Sequence, residues 1–218
     1  MKPILSSSCF WLWVNAAITP PAQAQELYDP THPEVRHEVS FAKLVDSADV
    51  IVEGRVSGMR SFWNEAHTDI YTASTLQVYK VFKGDRTATT LEIITLGGQV
   101  GQIGQEMPGI NPPLKAQAVG LLFLVPSPQP SVGSQVDRRH QLRSLYGPQG
   151  AILYDADAQQ VTGLGYLRRY HNIPQTLYAP LEKQIGHAYQ LVQPFDVAAY
   201  DPYAEGAARA KPTRVAPK

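Results

Sequence analysis

Histidine is the residue type in this sequence best suited to bind a metal or to transfer a proton near neutral pH, and the chain has six. His32 and His37 are five residues apart and lie near Asp29 and Glu34. A zinc site needs three or four converging ligands, and the H-E-x-x-H motif is absent. The other histidines are isolated in the sequence. We therefore interpret the histidines as surface residues and expect neither a metal site nor a cofactor.

The sequence offers little to a nucleophilic or acid–base mechanism. No serine lies in a G-x-S-x-G motif, and the single cysteine, Cys9, lies in an apolar N-terminal stretch. Asp155 and Asp157 occupy a predicted turn, where aspartate side chains bond to the nearby backbone. The glycines that begin at Gly97 are not followed by the Lys-Ser/Thr pair of a phosphate-binding loop. We therefore expect no catalytic residue.

The balance of charge excludes one class of partner. The chain has 19 Lys and Arg residues against 19 Asp and Glu residues, which gives a formal net charge of zero and a pI near 7.0. Surfaces that bind nucleic acids normally carry a clear excess of positive charge. We therefore expect no nucleic-acid partner.

The first 24 residues have the parts of a secretory signal peptide in the expected order. Lys2 precedes a mostly apolar stretch from Ile4 to Ile18, and residues 22–24 read Ala-Gln-Ala, the small-x-small pattern that precedes cleavage. The apolar stretch is shorter than the ~20 residues that cross a bilayer. The sequence predicts cleavage after Ala24 and an exported protein, periplasmic or secreted, that does not span the membrane after cleavage.

Beyond residue 24, short apolar segments alternate with turn residues, which is typical of a mostly β protein. Ser40 could cap a short helix, and Pro180 could begin a final helix with an apolar face that extends to Val192. Strands are predicted at residues 49–56, 69–82, 91–96, 119–125, 144–154 and 161–170. We expect an irregular leader over residues 25–38, one domain over 39–193 and a disordered tail over 194–218, which is rich in Ala, Pro and charge.

Two predicted loops carry the residues best suited to binding. Loop 60–68 contains two adjacent aromatic residues, and a tryptophan is unusual in a connecting segment. Loop 97–113 is long for a compact domain and rich in Gly and Gln, and binding residues concentrate on such loops. The candidate binding residues are Phe62, Trp63, Gly97, Gly98, Gln99 and Gln102.

Four short motifs carry a resemblance to known proteins. They are residues 48–56 (ADVIVEGRV), 78–84 (VYKVFKG), 97–101 (GGQVG) and 121–124 (LLFL). Together they resemble a domain of exported bacterial proteins of mostly unassigned function. The first two are also similar to the OB-fold barrel of the netrin-like domain, which is found in tissue inhibitors of metalloproteinases.

This resemblance implies a mostly β fold, an OB-like barrel of five to seven strands with a short N-terminal helix and a C-terminal helix. It also implies protein binding. The metalloproteinase inhibitors coordinate the protease zinc through an N-terminal cysteine, and this chain has no cysteine after Cys9. Zinc chelation by that route is therefore not implied here.

We expect an exported, non-enzymatic binding module whose partner is a protein, either inhibitor-like or accessory to a secreted protein. Loops 60–68 and 97–113 would form the contact surface. One alternative is a binder of a cell-envelope saccharide or peptidoglycan, which would stack on Trp63 and neighbouring aromatic residues. A second alternative is a hydrolase with a site assembled from distant residues. A pocket in which two or more His, Asp or Glu side chains converge would contradict the non-enzymatic expectation.

Overall fold

The structure is a computed structural model that describes residues 38–163 and 168–201, without the side chain of Arg168. The predicted signal peptide, residues 25–37 of the predicted leader and residues 202–218 of the predicted tail lie outside the described residues. Within the described ranges, no helix has the length and apolar character needed to cross a bilayer.

The fold is mostly β, as predicted, with 42% strand and 19% helix. The two helices are α1 (Phe41–Ser47) and α2 (Ala179–Ile185). The strands are β1 (Val50–Trp63), β2 (Ile70–Lys83), β3 (Thr90–Leu96), β4 (Gly98–Val100), β5 (Ile103–Gln105), β6 (Val119–Pro126), β7 (Gln141–Ser144), β8 (Ala151–Asp155), β9 (Gln160–Gly163), β10 (Arg168–Tyr170) and β11 (Gln190–Leu191).

Helix α1 forms where the sequence predicts it. The hydroxyl of Ser40 accepts a hydrogen bond from the backbone N–H of Lys43 at 3.2 Å, which caps the helix N-terminus. Leu44 and Val45 are buried on the side that faces the sheet. The helix ends at Ala48, where the backbone becomes extended and leads directly into β1.

Strands β1 and β2 are each 14 residues long and pair along their whole length. The predicted loop at 60–68 is therefore wrong in its first four residues, which belong to β1. They form a strand because the first half of the long β2 strand provides a partner for them, with Phe62 opposite Tyr71 and Trp63 opposite Ile70. The actual connection is confined to residues 64–69.

Five strands are hydrogen-bonded in a closed ring of order β1-β2-β3-β7-β6-β1. The ring closes because the first part of β1 pairs with β2 on one edge and with β6 on the other. The β3–β7 pair is parallel and the other four pairs are antiparallel. At Gly54, where β1 has partners on both edges, a Cβ atom would collide with the carbonyl oxygen of Gln77. Glycine permits this close approach of backbones.

Two large apolar clusters lie on opposite sides of these strands. All five ring strands contribute to one cluster, which includes Val52, Leu91 and Leu142. The other lies between the ring and the two helices and includes Ile51 and Leu181. Ile51 and Val52 belong to different clusters because successive strand residues point to opposite faces.

The sheet continues beyond β6 through β8, β9 and β10. A hairpin in this region was predicted, and β8 and β9 form it around residues 156–159. Its predicted first strand, 144–154, is instead divided into β7, a 3₁₀ turn at Gly147–Gly150 and β8. The division occurs because Tyr146 and Gly147 both adopt left-handed backbone conformations, with φ of 55° and 59°.

The C-terminal region differs from its prediction in two ways. Helix α2, preceded by a π-helical turn at Pro174–Tyr178, ends at Gly186 with φ of 88°, so the predicted apolar face does not continue to Val192. The predicted disordered tail begins too early, because residues 194–201 pack on the sheet. Phe195 stacks on Tyr79 with 4.7 Å between ring centroids, and the buried Asp201 accepts a 2.7 Å hydrogen bond from the N–H of Ile173.

Candidate functional site

The candidate aromatic residues Phe62 and Trp63 lie on opposite faces of β1, because they are adjacent in a strand. Phe62 is only 6% exposed and forms a small core with Ala73 and Ile94. Its ring stacks on that of Tyr71, with 6.1 Å between centroids. The prediction that Phe62 is an accessible loop residue is therefore wrong, because the strand turns its side chain inward.

Trp63 is the last residue of β1 and is half-buried. Its ring stacks on His67 of the connection 64–69, with 6.1 Å between centroids. Asn64 holds this connection in place, since its side-chain oxygen accepts hydrogen bonds from the N–H groups of Thr68 and Asp69 at 2.9 and 3.2 Å. Of the two aromatic candidates, Trp63 is the one that lies at the accessible tip of the hairpin.

The glycine- and glutamine-rich candidates form an ordered hairpin, β4–β5, where the sequence predicts a loop. The hairpin is fixed to β1 and β2 by two hydroxyl groups. Thr72 donates a 2.8 Å hydrogen bond to the carbonyl oxygen of Gly97, and the Ser61 hydroxyl accepts one from the N–H of Gln99 at 3.2 Å. Gly98 lies directly between these hydroxyls with φ of 140°, so no larger residue fits. Gln99 and Gln102 are exposed.

The last part of β1, Gly58–Trp63, pairs with the first part of β2, Ile70–Thr75, and we call this two-stranded unit the arm. The earlier part of β1 has β6 on its other edge, but no strand among the described residues pairs with that edge of the arm. The guanidinium group of Arg60 donates hydrogen bonds to the carbonyl oxygen of Val132 and to the hydroxyl of Ser131, which brings residues 131–132 beside the arm.

Exposed apolar side chains are concentrated at the arm. Five large apolar side chains of the described residues are exposed, and three of them are on the arm or on segments that contact it. These are Met59, which is 44% exposed, Ile103 of the β4–β5 hairpin at 56% and Val132 at 47%. Single exposed apolar side chains are common on protein surfaces, whereas a contiguous group of them is typical of an interaction surface.

A second feature lies at the other end of the ring strands, where β1 and β3 begin and β2 and β6 end. It is an open cavity of about 520 Å³. Six of its ten lining residues are apolar and four are charged or titratable. The lining residues are Asp49, Val50, Val52, Asp85, Ala88, Leu91, Pro126, Arg139, His140 and Leu142.

Two of the polar residues at this cavity are paired. His140 Nε2 lies 3.1 Å from Asp85 Oδ2, and the histidine side chain is 16% exposed. Asp85 also accepts hydrogen bonds from the hydroxyl and the N–H of Thr87, at 2.7 and 2.9 Å. These bonds, followed by the one from His140, hold the pKa of the Asp85 carboxyl well below its ordinary value. No local pattern indicated this pair, because its members are 55 residues apart in the chain.

A third feature is a cluster of polar side chains that is buried outside the ring, between β1, β2 and the turn before α2. Glu53 is fully buried and Lys80 is 4% exposed. The ammonium group of Lys80 lies 3.1 and 3.2 Å from the two Glu53 carboxylate oxygens. The hydroxyl of Tyr178 donates a 2.6 Å hydrogen bond to Glu53 Oε2 and accepts one from Lys80 at 3.0 Å. Each of the three polar groups is thus bonded to the other two.

Aromatic rings surround the Lys80 ammonium group. It lies 4.6 Å from the ring centroid of Tyr178, 4.9 Å from that of Phe195 and 5.5 Å from that of Tyr189. Such contacts stabilise a cation that has left water. A β-bulge contributes to this arrangement, because the register shifts between Glu53/Lys80 and Gly54/Val78.

Burial raises the pKa of the Glu53 carboxyl, while the charge of Lys80 and the hydrogen bond from Tyr178 act in the opposite direction. Burial also raises the pKa of the Tyr178 hydroxyl strongly, and the neighbouring Tyr154 and Glu53 add to that effect. Tyr178 therefore remains a neutral hydrogen-bond donor. A sign of this group is present in the sequence, because Glu53 directly follows the apolar run 50–52 and Lys80 lies inside the apolar run 78–82.

No group of three or more His, Cys, Asp or Glu side chains in the described part of the chain is placed to hold a metal ion. His32 and His37 lie outside that part. A scan of the chain against protein-family models finds no match, and a search of curated proteins finds no significantly similar sequence. Neither comparison bears on the resemblance to netrin-like domains.

Proposed function

We propose that this chain is an exported, non-enzymatic binding module whose arm contacts a protein partner. The observation that carries this proposal is the edge of Gly58–Trp63 that faces away from β2, because no described strand pairs with it. Met59, Ile103 and Val132 are exposed on the arm or on the segments that contact it. An unpaired strand edge offers backbone N–H and C=O groups to an extended segment of another protein. The exposed apolar side chains would provide the contact area.

We also propose that the ring is an OB-like barrel. The strand order β1-β2-β3-β7-β6-β1, with its single parallel pair between β3 and β7, supports this assignment. Apolar side chains from all five strands lie in one cluster, as expected for the inside of a small barrel. The assignment gives no function by itself, because OB-like folds have many different ligands.

The saccharide alternative has less support. A sugar-binding site needs aromatic rings with a free face, and Phe62 is buried against Tyr71. Trp63 is half-buried and already stacks on His67. A saccharide would therefore have to displace His67 to reach both faces of the one remaining ring.

One observation counts against a non-enzymatic module and favours the hydrolase alternative, because Asp49, Asp85 and His140 all line the cavity at the end of the ring. The hydrogen-bonded Asp85–His140 pair resembles the orienting half of a catalytic triad. However, none of the ten residues that line the cavity is a serine, threonine, cysteine or lysine. This set lacks a side-chain nucleophile, so we favour binding over covalent catalysis.

Site-specific photo-crosslinking would test the proposed contact. A benzophenone amino acid replaces Met59 in one variant and Leu191 in another, since Leu191 is an apolar strand residue outside the arm and is 55% exposed, against 44% for Met59. Each variant is irradiated with the exported proteins of the source organism. We expect a discrete adduct from position 59 only, which an excess of the unlabelled wild-type chain prevents.

A third variant tests whether the adduct at position 59 also depends on the β4–β5 hairpin, which contacts the arm. Ile103→Lys places a charge on the β4–β5 hairpin, where the native side chain is 56% exposed, so the fold should not change. We expect this variant to weaken the adduct formed at position 59. Equal adducts at positions 59 and 191, or none at either, would contradict a protein contact at the arm.

A further inference from the structure

We propose that the cavity at the end of the ring binds a small amphipathic amine, with its alkyl chain on the cavity floor and its ammonium group at Asp49. This site is separate from the arm, because β1 begins at the cavity and ends in the arm. The proposal therefore does not depend on a protein partner. It rests on the apolar floor, the state of the charged groups at the rim and the size of the cavity.

The floor of the cavity suits an alkyl chain. Val52, Leu91 and Leu142 belong to the apolar cluster of the ring, line the inner end of the cavity and are each 1% exposed. Val50, Ala88 and Pro126 complete the apolar part of the lining. A volume of about 520 Å³ is in the range of small-molecule sites, which are mostly apolar with a few polar groups that orient the ligand.

The rim favours a cation because one carboxylate there has no partner. Asp85 is already bonded to Thr87 and His140. Arg139 is exposed and lies 3.4 Å from Asp137 and 4.0 Å from Asp85, so its charge is balanced. Asp49 lines the cavity and is exposed, and its carboxylate forms no hydrogen bond or ion pair with any described residue. An ammonium group would therefore meet an uncompensated negative charge.

His140 adds a hydrogen-bond acceptor to the same rim. Its Nε2 atom faces an Asp85 carboxylate, which can only accept, so Nε2 carries the proton in this pair. In the tautomer that carries its proton on Nε2, Nδ1 is an acceptor, and no described residue forms a hydrogen bond with it. A ligand N–H group can donate to this nitrogen while its charge is compensated by Asp49.

Three six-carbon probes that share an alkyl chain test the proposal. Hexylamine, hexanol and hexanoate are titrated separately into the ¹⁵N-labelled full chain, and amide and imidazole resonances are followed by NMR. We expect hexylamine to shift the resonances of Val50, Leu91 and His140 and to bind more tightly than hexanol. Hexanoate should not bind, because its carboxylate would face that of Asp49.

Two matched variants test whether Asp49 is the residue that recognises the charge of the amine. Asp49→Asn should weaken hexylamine binding about fivefold, which is the effect of one exposed ion pair. Asp157→Asn, at an exposed aspartate in the β8–β9 turn that does not line the cavity, should leave binding unchanged. Equal binding of the three probes, no shift with hexylamine, or an equal effect of both variants would overturn the proposal. The probe series on the wild-type chain decides the question even if a variant does not fold.

Discussion

Replacement of Lys80 by methionine should destabilise the fold strongly, because it leaves the Glu53 carboxylate buried without its cation. Methionine preserves most of the side-chain volume and the contacts with the rings of Tyr178 and Phe195. The change therefore removes the charge and little else. Among the described residues, Tyr178 would remain as the one hydrogen-bond donor to a carboxylate that is fully buried.

The size of this loss of stability follows from the distance between the two charged groups. At the 3.1 Å distance between Lys80 Nζ and Glu53 Oε2, the attraction is about 5 kcal/mol for an effective dielectric constant of 20. Desolvation of both groups offsets much of this energy in the intact pair. Removal of one partner loses the attraction and keeps the desolvation cost of the other, so we expect Lys80→Met to lower the free energy of unfolding by about 3–5 kcal/mol.

A double-mutant cycle measures this effect by urea denaturation, followed by circular dichroism at neutral pH. We expect Glu53→Gln alone to cost a similar amount and the double variant Glu53→Gln/Lys80→Met to recover most of the loss, since no buried charge remains. Asp137→Asn, which breaks an exposed ion pair with Arg139, is the control and should change stability by less than about 0.5 kcal/mol. Single losses that simply add in the double variant would refute the reasoning.

The raised pKa of Glu53 predicts that the stability of the fold depends on pH, and the same variants test this. The pKa of Glu53 is raised by burial, so the folded protein holds this proton more tightly than the unfolded chain. The resulting stabilisation is complete below the ordinary pKa of glutamate and is lost as the pH rises through the folded pKa. Relative to Glu53→Gln, the wild-type chain should therefore gain stability as the pH is lowered from neutral, and a constant difference would contradict the assignment.

Three further changes test the packing, with free energies of unfolding as the measurement. Gly54→Ala should destabilise by several kcal/mol because its Cβ would collide with the backbone of β2, whereas Gly58→Ala in the same strand has open space and should be nearly neutral. Phe195→Ala should cost about 2–4 kcal/mol by removing the stack on β2, while Leu191→Ala, 55% exposed, should cost little. Leu122→Asp should unfold the domain, because the side chain is 1% exposed inside the ring.

Local patterns in the sequence predicted much of the fold. Helix α1 follows from a capping serine and its apolar spacing, and the apolar run at residues 119–125 correctly indicated a buried strand. The predictions that were wrong concern residues whose conformation depends on partners far away in the chain. Whether Arg60–Trp63 continue as a strand depends on the first half of β2, and whether Phe195 is ordered depends on Tyr79, far away in the chain.

The candidate site was predictable only in part. The glycine- and glutamine-rich segment does lie against the end of β1, but the reason is the pair of hydroxyls from Ser61 and Thr72, which have no distinctive local pattern. The cavity was not foreseen at all. Asp49, Asp85 and His140 come together only because the ring brings the ends of several strands to one place, and no short segment of sequence contains that information.

The closure of the ring by β1 also has a consequence for the order in which this protein can fold. Residues 50–55 emerge early in synthesis, but one of their two strand partners is residues 119–124, which are made much later. Until then, an apolar strand segment with an open edge is available to other chains. Because contacts between distant residues must form before the ring can close, we expect folding to be slow and limited by the docking of β6.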